Sequence, residues 1–202
     1  MEQTRLRVST LPKTYITPEQ YLEIERAAES KSEYYQGEMF AMSGAQLPHN
    51  LIVANTVRDL GQQLRTRDCT VCPSDLRVFI PATGLYTYPD AVVFCSQPKF
   101  QDSELDTLLN PILLVEVLSP TTEAYDRGRK FEHYQSIESF QQYLLIASDR
   151  MHVDLFTRRT GGGWLLQSAD KPEESIELTS IGCRLLLADL YEKVDLTASP
   201  GR

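Results

Sequence analysis

The run Ile112-Leu113-Leu114-Val115-Glu116-Val117-Leu118 constrains this chain more than any other stretch. It is apolar at every position except Glu116, and Asn110-Pro111 and Ser119-Pro120 bound it. A continuous apolar run of this length between turn residues predicts a strand covered on both faces. A carboxylate inside such a strand needs a cation, a proton or hydrogen-bond donors around it. What surrounds Glu116 is then the question that the remaining residues must answer.

Several elements are legible from local signals. Thr17-Pro18-Glu19-Gln20 marks a helix start, with Thr17 as N-cap, Pro18 at the first helical position and Gln20 completing a capping box. This helix is expected to run to about Ser30 with Tyr21, Leu22, Ile24 and Ala28 inward. Residues 32–43 alternate around Gln36-Gly37 and predict a hairpin that holds Glu33 and Glu38. Pro48 opens a second helix reaching about Arg65. Its stripe is Val53, Val57, Leu60 and Leu64, and His49 lies one turn ahead on the same inward side. Residues 74–80 and 88–95 flank the turn Pro81-Ala82-Thr83-Gly84 and read as an antiparallel pair. After Glu116 the pattern turns helical from about Asp126 to Ile137. Strands follow at 142–147, 153–158 and 164–167, and then a short closing helix at about 185–191. With no repeat and no linker, a single domain is expected over residues 1–202, its core at about 17–158 and a C-terminal β extension at about 159–195.

The carboxylates fall where strand ends meet. Asp90 follows Pro89 at the start of its strand, and Glu116 sits near the end of the next. Antiparallel pairing brings the two together, with Asp90 opposite Val117 and Ala91 opposite Glu116 to within a residue or two. Carboxylates that close must split their pKa values or share a cation. Oxygen ligands on a rigid sheet suit Mg²⁺ or Mn²⁺. On the following helix Asp126, Lys130, Tyr134 and Ile137 recur at spacings of four, four and three, so Lys130 faces the packed side. A lysine there can position a water or stabilise charge on a phosphate. The competing structural role for Glu116 is a buried ion pair with Arg77 or Lys130. For Asp75 it is pairing with Arg77, and for Tyr134 it is the core.

Tyr88-Pro89-Asp90, the segment Glu116-Val117-Leu118-Ser119-Pro120-Thr121-Thr122, and Asp126, Lys130 and Tyr134 together resemble the Uma family of putative restriction endonucleases. That family belongs to the PD-(D/E)XK nuclease superfamily. The resemblance takes in Ser32-Glu33-Tyr34-Tyr35-Gln36-Gly37-Glu38, Met42-Ser43-Gly44-Ala45, His49 and Ser74-Asp75-Leu76-Arg77-Val78, and so spans roughly residues 17–158. It implies a restriction-endonuclease-like α/β fold, a central mixed sheet of about four or five strands flanked by helices. It also implies metal-dependent hydrolysis of DNA phosphodiester bonds. Asp90 and Glu116 would hold Mg²⁺ or Mn²⁺, and Asp75 would be a metal ligand or orient one. Lys130 would orient or deprotonate the attacking water, Glu33 would complete the acidic site, and His49 would orient water or ligands. The superfamily places its lysine two residues after the glutamate, where this chain has Leu118. In the resembling family the lysine has moved to the next helix, which matches Lys130.

Composition sets the alternatives. Asp plus Glu number 28 against 20 Lys plus Arg, which excludes a generic nucleic-acid-coating protein but not an enzyme with a local site. Together with Leu118, that acidity keeps a second reading open: a catalytically inactive nuclease fold that serves as a binding or scaffold module, for instance through dimerisation. Hydrolysis of another phosphate ester is a third. Cys69 and Cys72 form a C-x-x-C with no second pair, so all four cysteines are expected as buried thiols in a reducing compartment. Residues 1–11 lack the apolar stretch of a leader, and no run is long enough to span a membrane, which predicts a cytoplasmic protein. Cutting both strands of a duplex would make a homodimer natural.

Overall fold

A computed structural model describes residues 15–197 of the chain. The segment read for a leader, residues 1–11, lies outside them. Helix α1 (Pro18–Ala27) begins as its sequence dictates: Thr17 Oγ1 accepts from the Gln20 N–H, and the Gln20 side chain accepts from the Thr17 N–H. Its buried side is Tyr21, Leu22 and Glu25, whereas Ile24 and Ala28, expected inside, are exposed. Glu25 takes their place because its carboxylate accepts the Ser32 N–H and the Tyr88 hydroxyl. Strands β1 (Ser32–Tyr35) and β2 (Glu38–Ala41) form the expected hairpin, turning at Gln36 and Gly37, which both have positive φ. Helix α2 (Leu47–Leu64) buries Ile52, Thr56, Leu60 and Leu64 at four-residue spacing. Val53 and Val57 sit at the margin of that stripe, half-buried against the same core.

The next strands depart from expectation. They are β3 (Cys69–Pro73), β4 (Arg77–Ile80), β5 (Leu85–Thr87), β6 (Ala91–Cys95), the two-residue β7 (Thr107–Leu108) and β8 (Leu113–Leu118). β4 does not pair with β6: it pairs with β5, and β6 pairs with β3 and β8. The chain crosses from one sheet to another at Tyr88-Pro89-Asp90, where Pro89 has no N–H to continue a ladder. The thiol reading fails for one pair of cysteines. Cys69 and Cys95 lie directly opposite each other in β3 and β6 and are joined as a disulfide. Cys72 and Cys183 are free thiols.

Beyond β8 come α3 (Glu123–Tyr125), a π-helical turn (Asp126–Lys130) and α4 (Phe131–Gln135), which follow one another without a break. Strands β9 (Gln142–Ala147), β10 (Val153–Arg158) and β11 (Trp164–Ala169) follow, then the hairpin β12 (Ser175–Leu178) with β13 (Cys183–Leu186), and α5 (Leu187–Leu190). The architecture is mixed α/β, but with two main sheets rather than one. One has the order β11-β10-β9-β8-β6-β3, and the other β2-β1-β5-β4-β7. In the first, β8 and β9 are parallel neighbours, and the helical segment from α3 to α4 makes the crossover that a parallel pair requires. Both strands are buried at every residue, as the apolar run predicts. Val115 and Val117 face a core shared with α2 and the β12–β13 hairpin. Leu114 and Leu118 face the opposite core, with Phe131, Tyr134 and Tyr143. By strand alternation Glu116 points to that second side, under the crossover helix. No helix among the described residues is long and apolar enough to cross a membrane.

Gly37 sets the hairpin geometry, with φ of +86°, and a Cβ there would lie 2.5 Å from the Tyr15 ring. Gly37→Ala should cost about 1–2 kcal/mol and lower Tm by roughly 2–8 °C in thermal unfolding. An unchanged Tm would contradict this backbone assignment.

Candidate active site

Glu116 is 4% exposed, and Lys130 answers it. The Lys130 ammonium lies 2.9 Å from Glu116 Oε1, and the Tyr134 hydroxyl donates to the same oxygen at 2.8 Å. Lys130 also lies 3.3 Å from Glu33 Oε1 and 3.6 Å from Asp126 Oδ1. Glu33 reaches in from β1 and accepts the Thr87 hydroxyl of β5. The helix therefore brings Asp126, Lys130 and Tyr134 down on one face of β8, while the hairpin supplies Glu33 from the second sheet. Arg77, the other candidate partner, is buried elsewhere: it donates to the Tyr88 and Thr107 hydroxyls and pairs with Asp106.

Asp90 stands at the facing strand end. The ladder pairs Ala91 with Val115, so continuing it sets Asp90 across from Glu116, one residue from the expected register. Asp90 Oδ2 accepts the Val117 N–H at 2.7 Å, and His49 Nε2 lies 3.2 Å from that same oxygen. His49 points inward from the first turn of α2, as its place in the sequence implies. Its Nδ1 is buried with no hydrogen-bond partner among the described residues. Asp75 does not join the group. It sits on the turn between β3 and β4, its side chain 88% exposed and paired with Lys31 at 2.9 Å. Of the hairpin glutamates it is Glu33 that meets Lys130.

The electrostatics follow from crowding in a dry place. Burial pushes the Glu116 carboxyl well above the usual carboxylate range; Lys130 pulls the other way, and Asp126 and Asp90 add to the rise. Asp126 is also raised, first by burial and against the pull of Lys130. For Lys130, burial opposes the charge, but Glu116, Glu33 and Asp126 outweigh it and hold the ammonium well above its ordinary pKa. Tyr134 is raised by burial and then by Glu116, so its hydroxyl remains a donor. Carboxylates from Glu33, Glu116 and Asp126 thus gather around one permanently charged ammonium, and Asp90, beside His49, stands at the facing strand end. This surplus of negative oxygen suits a hard divalent cation. Among the described residues no three His, Cys, Asp or Glu side chains form a metal cage. The arrangement fits the sparser kind of site, in which Asp90 and Glu116 would hold an ion that keeps several waters.

Two members of this cluster, Asp126 and Tyr134, were not assigned to the site from sequence, although their four-residue spacing with Lys130 was the available signal. The anchor of the π turn was also missed. Arg127 donates to Asp154 at 2.6 Å and to Glu123 at 2.8 Å, and Asp154 in turn holds the Ser168 hydroxyl at 2.5 Å and His152 at 3.1 Å. These bonds tie the turn to β10 and β11, farther along the sheet face that Glu116 shares. Leu118, two residues after Glu116, is buried in the core on the same strand face. Lys130 reaches that face from the helix above.

Comparison with known proteins shows the family and the fold. The model of the Uma2 family, described as "Putative restriction endonuclease", matches residues 18–188. Two uncharacterized proteins of Synechocystis sp. are similar. One is 36% identical, covering 87% of this chain and 91% of the relative, and the other is 34% identical, covering 81% and 93%. A crystal structure described as a putative nuclease belonging to DUF820, from Anabaena variabilis, shares the fold with a TM-score of 0.71. It is 20% identical and covers 87% of this chain and 97% of its own.

Replacing Lys130 by Met should destabilise the protein by about 3–5 kcal/mol, because it leaves buried carboxylates uncompensated. The loss should depend on pH. A carboxyl raised in the folded state binds its proton more tightly there, so stability falls as pH climbs from the ordinary carboxylate range toward the raised value. Lys130 itself stays charged throughout that range. The Tm deficit of Lys130→Met should therefore be larger at about pH 8 than at about pH 5. A deficit independent of pH would contradict the described pairing.

Proposed function

The chain belongs to the Uma2 family of putative restriction endonucleases, and from that premise we propose that it is a metal-dependent nuclease that hydrolyses DNA phosphodiester bonds. The observation that carries this reading is the 2.9 Å contact between Lys130 and Glu116 in a site whose carboxylates outnumber its cations. It supplies from the helix the ammonium that the superfamily carries on the strand.

Asp90 and Glu116 would hold Mg²⁺ or Mn²⁺. When bound, such an ion lowers the pKa of a coordinated water and draws charge from phosphate oxygens. The chain's own residues do the rest. Tyr134 donates to Glu116 and fixes its carboxylate orientation. The Val117 N–H donates to Asp90, and His49 Nε2 lies against the same oxygen. Lys130, held charged by its neighbours, is a donor rather than a base; it orients water and offsets charge building on the phosphate. Glu33 and Asp126 keep the ammonium in place. A scaffold with an inactive nuclease fold would need only a balanced buried pair. The excess of carboxylates favours the enzyme.

With Mg²⁺ or Mn²⁺ the purified protein should nick or cut DNA, and Glu116→Ala should reduce this by more than roughly 100-fold. Tyr134→Phe should cost about 10–100-fold, recovered in part at higher Mn²⁺, since it loosens a ligand without removing it. Cleavage that survives EDTA, or survives Glu116→Ala, would overturn the assignment.

A further inference from the structure

We propose that two copies of this chain pair edge to edge through β11, antiparallel about a two-fold axis, and so join their six-stranded sheets. This goes beyond the nuclease reading and does not depend on it. β11 (Trp164–Ala169) closes one side of its sheet, with β10 as its one strand neighbour among the described residues. Sheet edges are ordinarily guarded against further pairing by charge, proline or brevity. The other edges carry such guards. β2 begins with Glu38, β3 ends in Pro73, β7 is two residues long, and the β12–β13 hairpin bears Glu177 and Arg184. β11 has six residues with no charge and no proline among them.

This edge is also apolar on both faces. Leu166 lies opposite Phe156 of β10 and Leu165 opposite Thr157, so the two leucines point to opposite sides of the sheet. They are 50% and 49% exposed. A helix laid on one face would cover only one of them. A strand added alongside brings a side chain next to each and gives the outer row of N–H and C=O groups a ladder partner.

The charges at the two ends of the strand point to a second copy as the added strand. Beside its start stands Arg159, exposed, its N–H donating to the Gly163 carbonyl. Beyond its finish stands Asp170, also exposed. Neither side chain has an ion-pair partner among the described residues. Their neighbours are engaged: Arg158 lies over the Trp164 ring and donates to the Gln135 and Ile137 carbonyls, and Lys171 faces Glu174. An antiparallel copy lays the basic end of each strand against the acidic end of the other, whereas a parallel one would set like charges together. Side chains opposite each other must share a face, so the two-fold axis falls at a residue. Centred on Leu166, it sets Leu166 beside its own copy, Leu165 beside Gln167 and Trp164 beside Ser168. Continued, the same register sets Asp170 across from Gly162, whose N–H donates to the Arg159 carbonyl at 3.1 Å. Each unpaired charge then meets its opposite in the other chain, twice by symmetry.

Sedimentation velocity on the full chain tests this and should show a concentration-dependent dimer of twice the 23.0 kDa chain mass. Leu166→Lys, which sets like charges side by side on the axis, should give a monomer with unchanged Tm, the position being exposed. Phe40→Lys, at another exposed apolar position, should leave the dimer intact. Arg159→Asp should weaken association roughly tenfold, since it acts twice per dimer, and adding Asp170→Arg should restore it. Leu166→Cys should cross-link to its copy under mild oxidation, and Phe40→Cys should not. A monomer at every concentration, a dimer untouched by Leu166→Lys, or Leu166→Cys that cross-links no faster than Phe40→Cys would overturn the proposal. A charge exchange that leaves association as weak as in Arg159→Asp would overturn the antiparallel pairing.

Discussion

A carboxylate in the middle of a buried strand is the constraint on which this structure turns. Glu116 cannot sit in β8 unless something offsets its desolvation, and β8 cannot stay buried on both faces unless helices cover it. One segment meets both needs. The crossover helix that joins parallel β8 and β9 buries Phe131 and Tyr134 over the sheet, and from the same face it lowers Lys130 onto Glu116. The π turn that carries Asp126 and Lys130 is an uncommon geometry, of a kind that often marks functional positions. Arg127, reaching to Asp154, fastens it to β10.

Such an arrangement is a poor way to gain stability. A buried ion pair with extra carboxylates around it is no better than a well-packed apolar core. Leu118 shows that this core accepts an apolar side chain two residues from Glu116 on the same strand face. On the proposed reading the cluster is kept for chemistry rather than for stability. The Lys130 ammonium reaches Glu116 from the helix above, not from a neighbouring position on the strand.

Much of this was legible because it is local. The apolar run, the Thr17 capping box, the Gln36-Gly37 turn and the stripe bearing Lys130 depend on residues a few positions apart. Strand partners do not. β4 and β6 read as a hairpin because a turn separates the two stretches, yet that turn joins β4 to β5, and Pro89 marks a passage between sheets. The same nonlocality hid the Cys69–Cys95 bridge, the exposure of Asp75 and the buried role of Glu25. Asp126 and Tyr134 were visible as a helix face, but nothing in their spacing distinguished core packing from contact with Glu116.

The most direct measurement of whether these carboxylates serve a cation is anomalous diffraction from crystals soaked in Mn²⁺. A peak between β6 and β8, roughly 2.0–2.2 Å from oxygens of both Asp90 and Glu116, with Lys130 beside it, is the expected result. A map in which Glu116 bonds only Lys130 and Tyr134, with no anomalous density near Asp90, would contradict it.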